Sequence, residues 1–197
     1  MKRLLDIVGA GLGLLLGAPL MAVAALAIKL ESKGPAVFTQ TRVGRDFVPF
    51  RLYKLRTMRH DADVAGPSIT VAGDERVTRV GAVLRATKLD EIPQFFNVLR
   101  GDMSLVGPRP EVPEYVEMFR KDYEQLLRVR PGLTDPGSIA YRNEAAVLAS
   151  AADSQAAYVA HVLPEKIRLA GEYVSRPPSV WRDLGVLLRT AVAVFRG

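Results

Sequence analysis

Between Lys88 and Pro113 the chain sets an acid pair, Asp90-Glu91, just ahead of a proline and, a short helix later, an arginine held between prolines in Gly107-Pro108-Arg109-Pro110. Proline fixes φ, so Arg109 rides on a backbone with little freedom, and its planar fork suits a phosphate. Arg85 and Lys88 stand just upstream of the acids. Taken alone, Asp90 can simply cap a helix and Arg109 can be a surface ion-pair partner. Taken together, acids and fixed cations facing one another suit a site for a polyphosphate.

These residues need elements to hold them. Pro93 is accepted in a helix's first turn, which predicts that a helix starts near Asp90 and runs to Gly101. Upstream, Val77, Val80, Val83 and Leu84 recur at helical spacing. Ala36–Thr39 and Phe47–Tyr53 read as two extended segments of a loose hairpin around Gly44-Arg45-Asp46. Lys54, Arg56 and Arg59 follow the second segment, and His60 to Asp74 reads as an exposed loop, either a linker or a functional lid.

The 197 residues are 49% hydrophobic, carry a formal net charge of +6 and contain no cysteine. The charge favours anionic partners, and the missing cysteine excludes a disulfide framework. No basic block interleaved with aromatics marks a nucleic-acid surface, so no nucleic-acid partner is expected. The apolar excess concentrates in Ile7 to Ile28, which is free of charge and long enough for a membrane helix. Positive residues flank both ends, so the charge rule assigns no sidedness. Pro19 near the middle, with Gly9, Gly11, Gly13 and Gly17 before it, fits a helix that bends at Gly17-Ala18-Pro19 and returns; a tilted spanning helix also tolerates proline. At the other end, Trp181, Leu184, Leu188, Ala191, Val192 and Phe195 share one helical face, which suits either an interfacial helix or one packed on the core. Ala145–Val162 reads as a surface helix and Glu165–Tyr173 as another.

Asp-Glu-Ile-Pro-Gln at 90–94, Asn-Val-Leu-Arg-Gly-Asp-Met-Ser-Leu-Val-Gly-Pro-Arg-Pro at 97–110 and Arg-Pro-Gly-Leu-Thr at 130–134 resemble the bacterial sugar transferases, the small monotopic phosphoglycosyl transferases. The likeness also takes in Lys2-Arg3 and Asp6, the 34–40 and 53–58 segments, Tyr173-Val174 and Asp183-Leu184. It implies an α+β fold: a helix-dominated catalytic domain (34–197) with a small β element and interfacial amphipathic helices, preceded by a kinked re-entrant membrane helix (1–33). It also implies a monotopic place on the cytoplasmic face of the bacterial inner membrane.

The implied reaction moves a sugar 1-phosphate from a UDP-sugar to polyprenol (undecaprenyl) phosphate, releases UMP, and uses Mg²⁺. Membrane lipid is a further partner, and a homo-oligomer is compatible with it. Asp90 is then the nucleophile that forms an aspartyl phosphosugar, with Glu91 orienting it and both acids bearing on the metal. Lys54, Arg56, Arg85 and Arg109 are the expected phosphate-side residues, because a carboxylate attacking a diphosphate needs cations to offset like charge. Mg²⁺ takes one or two carboxylates plus phosphate oxygens, which suits a chain with only two histidines and no cysteine. Two departures stand out. Ala18-Pro19 replaces the more usual Ser-Pro at the membrane bend, and Arg142 and Asn143 stand in a segment unlike the common Gly-Trp-Ala-Gln pattern, which assigns them to donor recognition. Two other classes fit parts of the sequence: a membrane-tethered, non-catalytic sugar-nucleotide binder, and a lipid phosphatase.

Overall fold

A computed structural model describes residues 1–59 and 69–195. Most of the loop expected from His60 to Asp74 therefore lies outside the described residues. Lys2–Glu31 form one helix, α1, with Pro19 inside it. The bend expected at Gly17-Ala18-Pro19 does not break the helix. Both halves pack on the same body: Gly13 and Gly17 lie against Phe95 and Ile92 before the proline, and Ala24 and Ile28 join Leu55 and Leu84 after it. The glycines do not loosen this helix as their type suggests. Gly9, Gly13 and Gly17 form a ladder on one face, and an added Cβ would come within 2.6–2.8 Å of Leu105, Phe95 and Ile92 respectively. Each glycine admits one large side chain at close range.

Both ends of α1 are pinned. Lys2 Nζ donates to Asp183 at 2.6 Å and to the Val106 carbonyl at 2.9 Å, while buried Asp6 accepts from Ser104 Oγ and Leu105 N–H. At the far end the Arg56 guanidinium donates to the carbonyls of Ile28, Ser32 and Lys33, satisfying groups a helix C-terminus leaves open. Glu31 accepts from the first two backbone N–H groups of α2 (Arg79–Ala86). The opposite face of α1, from Leu4 through Leu12, Leu16 and Val23 to Leu30, is exposed and apolar. The helix is long and apolar enough to cross a membrane. Sequence separates α1 from the polar remainder of the chain at residue 33, but in space Ala10, Ala24 and Ile28 belong to two core clusters shared with that remainder.

β1 (Val37–Val43) and β2 (Pro49–Leu55) form the expected hairpin, with Val37 opposite Leu55 and Val43 opposite Pro49. Its turn puts Asp46 and Phe47 at positive φ. After α2 and a 3₁₀ turn at Leu89–Glu91 come α3 (Gln94–Arg100) and β3 (Ser104–Val106). α4 (Pro113–Met118) and α5 (Arg120–Leu126) lead to β4 (Gly132–Thr134), which pairs parallel with β3. This second, two-stranded sheet has no strong alternation in sequence because β3 is buried on both sides. α6 (Pro136–Ala140), α7 (Glu144–Ala149) and α8 (Ser154–Ala157) come next. The surface helix expected over 145–162 is thus divided, and it ends in a π turn, Tyr158–Val162, ahead of α9 (Leu163–Val174). Leu148, Tyr158 and Val162 there are core residues.

α10 (Val180–Phe195) closes the chain and presents two apolar faces. Val186 and Leu187 pack into the core with Ala10, Val98 and Leu105, and Asp183 is buried beside them. The stripe of Trp181, Leu184, Leu188 and Val192 stays exposed, Trp181 at 83%. The packed face and the stripe expected from sequence are therefore different faces of one helix. Together these elements make a helix-dominated α+β fold.

Candidate active site

Lys88 creates the local geometry. It lies at φ 58°, in the left-handed region where a non-glycine residue is uncommon, and turns the chain sharply out of α2 into the 3₁₀ turn that holds Asp90 and Glu91. Such strain gathers at functional sites. Helix α3 starts at Gln94 with Pro93 in the cap position, four residues later than the expected start at Asp90. Asp90 makes no capping hydrogen bond, so plain N-capping does not account for it.

The two adjacent acids sit in opposite surroundings. Glu91 Oε1 accepts from Arg109 Nη2 at 2.9 Å and meets Lys54 Nζ at 3.4 Å. Burial alone would raise its carboxyl, but Arg109, Lys54 and Lys88 overcome that and hold it well below the usual carboxylate range. Arg109 is correspondingly held charged by Glu91. Asp90 is buried, and its Oδ1 has no hydrogen-bond partner among the described residues. Burial pushes its carboxyl up, with the Glu91 charge adding to the rise and Lys54, Lys88 and Arg85 opposing it. Adjacent carboxyls driven in opposite directions are a mark of divided chemical roles.

The cations come from separate elements. Lys54 stands on β2, Arg85 on α2, and Arg109 on the segment after β3, where its backbone N–H points to buried Asp135 at 3.4 Å. Arg85 Nε donates to Thr57 Oγ1 at 2.8 Å. Lys54, Arg85, Asp90, Glu91 and Arg109 all line one cleft of about 1210 Å³. Its wall also includes Ile92, Phe95 and Leu105, the residues whose other sides meet the glycine ladder of α1. Leu187, Ala191 and Val194 of α10 supply further apolar lining.

The remaining expected residues are placed differently. Arg56 borders the cleft, but its guanidinium is spent on the C-terminal carbonyls of α1, so it holds that helix in place. Arg142 lines another part of the cleft and donates to the Val194 carbonyl near the end of α10. Asn143, at the start of α7, also lines the cleft. Ala18 and Pro19 lie within α1, away from this chemistry.

A buried polar network in the cleft wall is not legible in sequence. Glu111 accepts from Tyr158 Oη at 2.9 Å and from Arg42 Nη1 at 3.2 Å, and Lys166 Nζ reaches Glu144 at 2.7 Å and Tyr158 Oη at 3.4 Å. The available signal is Glu111 itself, an acid two residues beyond Arg109 in the same proline-rich run. Its partners are 47 or more residues away along the chain.

The sequence matches the family model of the bacterial sugar transferases over residues 1–197. It is 44% identical over 200 residues to the UDP-glucose:undecaprenyl-phosphate glucose-1-phosphate transferase of Caulobacter vibrioides, covering 98% of this chain and 69% of that protein. It is 38% identical to the UDP-N-acetylgalactosamine-undecaprenyl-phosphate N-acetylgalactosaminephosphotransferase of Aeromonas hydrophila, covering 100% of this chain and 44% of the relative. Against the UDP-glucose:undecaprenyl-phosphate glucose-1-phosphate transferase of Escherichia coli the identity is 38%, over 100% of this chain and 40% of the relative. The chain belongs to the bacterial sugar transferase family and is an enzyme. It spans less than half of the length of the last two relatives.

Proposed function

We propose that this enzyme transfers a sugar 1-phosphate from a UDP-sugar to a polyprenyl phosphate and releases UMP. The observation that carries the reading is the Asp90–Glu91 pair: one carboxylate immobilised by two cations, its neighbour buried with an oxygen free of any partner among the described residues. The free carboxylate attacks the phosphorus that bears the sugar, and the bond from that phosphorus to UMP breaks, leaving an aspartyl phosphosugar. A polyprenyl phosphate oxygen then attacks the same phosphorus, and the bond to Asp90 breaks to restore the carboxylate. Arg109 and Lys54, fixed before substrate arrives, and Arg85, which lines the same cleft, offset the charge that gathers at phosphorus.

A divalent cation fits the donors present. Glu91 binds both cations through Oε1, so Oε2 and Asp90 Oδ1 are free among the described residues. No larger cluster of acids or histidines gathers among those residues, and Mg²⁺ is content with such a pair plus phosphate oxygens. When bound, it would neutralise diphosphate charge.

The acceptor's tail belongs in lipid, and the exposed apolar faces of α1 and α10 flank the domain that holds the cleft. A helix that packs along one domain and is pinned to it at both ends supports association from one side of the bilayer, here assigned to the cytoplasmic face. The test is to supply radiolabelled UDP-glucose and UDP-N-acetylgalactosamine with undecaprenyl phosphate and Mg²⁺. UMP and a labelled lipid are expected, and both should vanish on chelation and return with Mg²⁺. Well-folded protein that yields neither product from a broad sugar panel refutes the assignment. Release of inorganic phosphate from polyprenyl diphosphate would indicate a lipid phosphatase instead.

A further inference from the structure

We propose that Thr57 is a positioning residue that aims the Arg85 guanidinium at the phosphate groups beside Asp90; the inference rests on the reaction proposed above. Arg85 lies on α2, and three residues of that helix's run, Thr78, Gly81 and Arg85, occupy one face at helical spacing. All three meet Thr57. Thr78 N–H donates to the Thr57 carbonyl at 3.0 Å, and Thr78 Oγ1 in turn caps α2 by accepting from Gly81 N–H. At Gly81 an added Cβ would stand 1.9 Å from that same carbonyl oxygen, so only glycine allows this approach. One turn further, Arg85 Nε donates to Thr57 Oγ1 at 2.8 Å.

The consequence is directional. A guanidinium has five donors in a rigid fork, and fixing Nε sets where the terminal nitrogens point. Thr57 is buried, its hydroxyl belongs to a strand-like segment in which Met58 bridges Val77, and it therefore offers a stationary acceptor. Among the described residues neither terminal nitrogen of Arg85 has a protein partner, and Arg85 lines the cleft close enough to Asp90 to oppose the rise of its carboxyl. Both donors are thus left for a ligand at the acid pair.

The test is a double-mutant cycle of Thr57→Val, Arg85→Ala and the pair, with Thr57→Ser as the conservative control. Each protein is assayed for transfer from UDP-glucose to undecaprenyl phosphate, and separately for UDP binding by calorimetry, which needs no turnover. Thr57→Val should lower kcat/KM about tenfold, the scale of one lost hydrogen bond at a charged group. Thr57→Ser should stay within about twofold of the parent, and the double variant should be no worse than Arg85→Ala, because the two residues act as one unit. If Thr57→Val does not fold, Thr57→Ala reads the same loss with a smaller side chain. Parental kinetics in the Val or Ala variant, or losses that multiply in the double variant, overturn the proposal. If the parent transfers no sugar phosphate, the reaction assignment fails, and the UDP-binding cycle still decides whether Thr57 acts through Arg85: coupled losses support it and independent ones overturn it.

Discussion

Asp90→Asn should abolish transfer and yet make the protein more stable. The residue is 6% exposed, and Oδ1 has no partner among the described residues. A buried charged acceptor without a partner costs about 1–3 kcal/mol, of which an amide of the same shape should recover about 1 kcal/mol. For a chain of this length that is a rise in Tm of roughly 2–4 °C. The pH dependence carries the same sign. Burial raises the Asp90 carboxyl in the folded state, so its favourable contribution is complete below the ordinary aspartate value of about 3.9 and is lost as pH rises through the raised folded value. The variant's advantage should therefore be present at neutral pH and should close as the solution is acidified through that window. Thermal unfolding of both proteins in one detergent, at one scan rate, would measure it, alongside formation of the phosphosugar adduct. A variant less stable than the parent at neutral pH would mean that the Asp90 charge is a structural partner. Retained transfer would remove it as nucleophile.

Glu91→Gln should do the opposite to stability, because it leaves Arg109 and Lys54 facing each other without their shared anion; these side chains are partly exposed, so the cost should fall below the about 3–5 kcal/mol of a fully buried pair. Adding Lys54→Met to Glu91→Gln should restore part of the lost Tm, and a further fall would refute the shared-anion account. For topology, membrane-impermeant labels on single cysteines placed near Lys2 and near Lys33 should react from the same face of sealed vesicles, whereas opposite reactivity would exclude one-sided association.

Much of the site is legible without the fold, because its parts are compressed into one run. Asp90, Glu91 and Arg109 lie within 20 residues of each other, and proline marks the rigidity of the arginine's backbone. Lys54 and Arg85, which line the same cleft, are recoverable from the charge that the proposed chemistry demands. Arg56 shows the limit of that logic. It carries the same charge two residues from Lys54, but in the structure it serves the end of α1, and strand alternation cannot tell which helix terminus a distant arginine will meet. The glycines of α1 mislead for a related reason. Their type suggests flexibility, whereas their spacing of four places a flat face against bulky neighbours, and those neighbours lie some 75 to 96 positions later in the chain. The β3–β4 pair and the Glu111 network likewise depend on contacts that no local pattern encodes. The C-terminal stripe is legible as a stripe, and exposure of its residues distinguishes it from the face that packs.

The glycine ladder also bears on how this enzyme could be handled outside a bilayer. Ile92, Phe95 and Leu105 are a shared partition, with the helix on one side and the cleft on the other. Cutting away α1 to obtain a water-soluble fragment would strip the outer backing from that partition two residues from Asp90, the proposed nucleophile. A soluble version is better sought by recolouring the helix in place: polar residues at Leu12, Leu16, Val23 and Leu30, which face outward, with Gly9, Gly13 and Gly17 kept as they are.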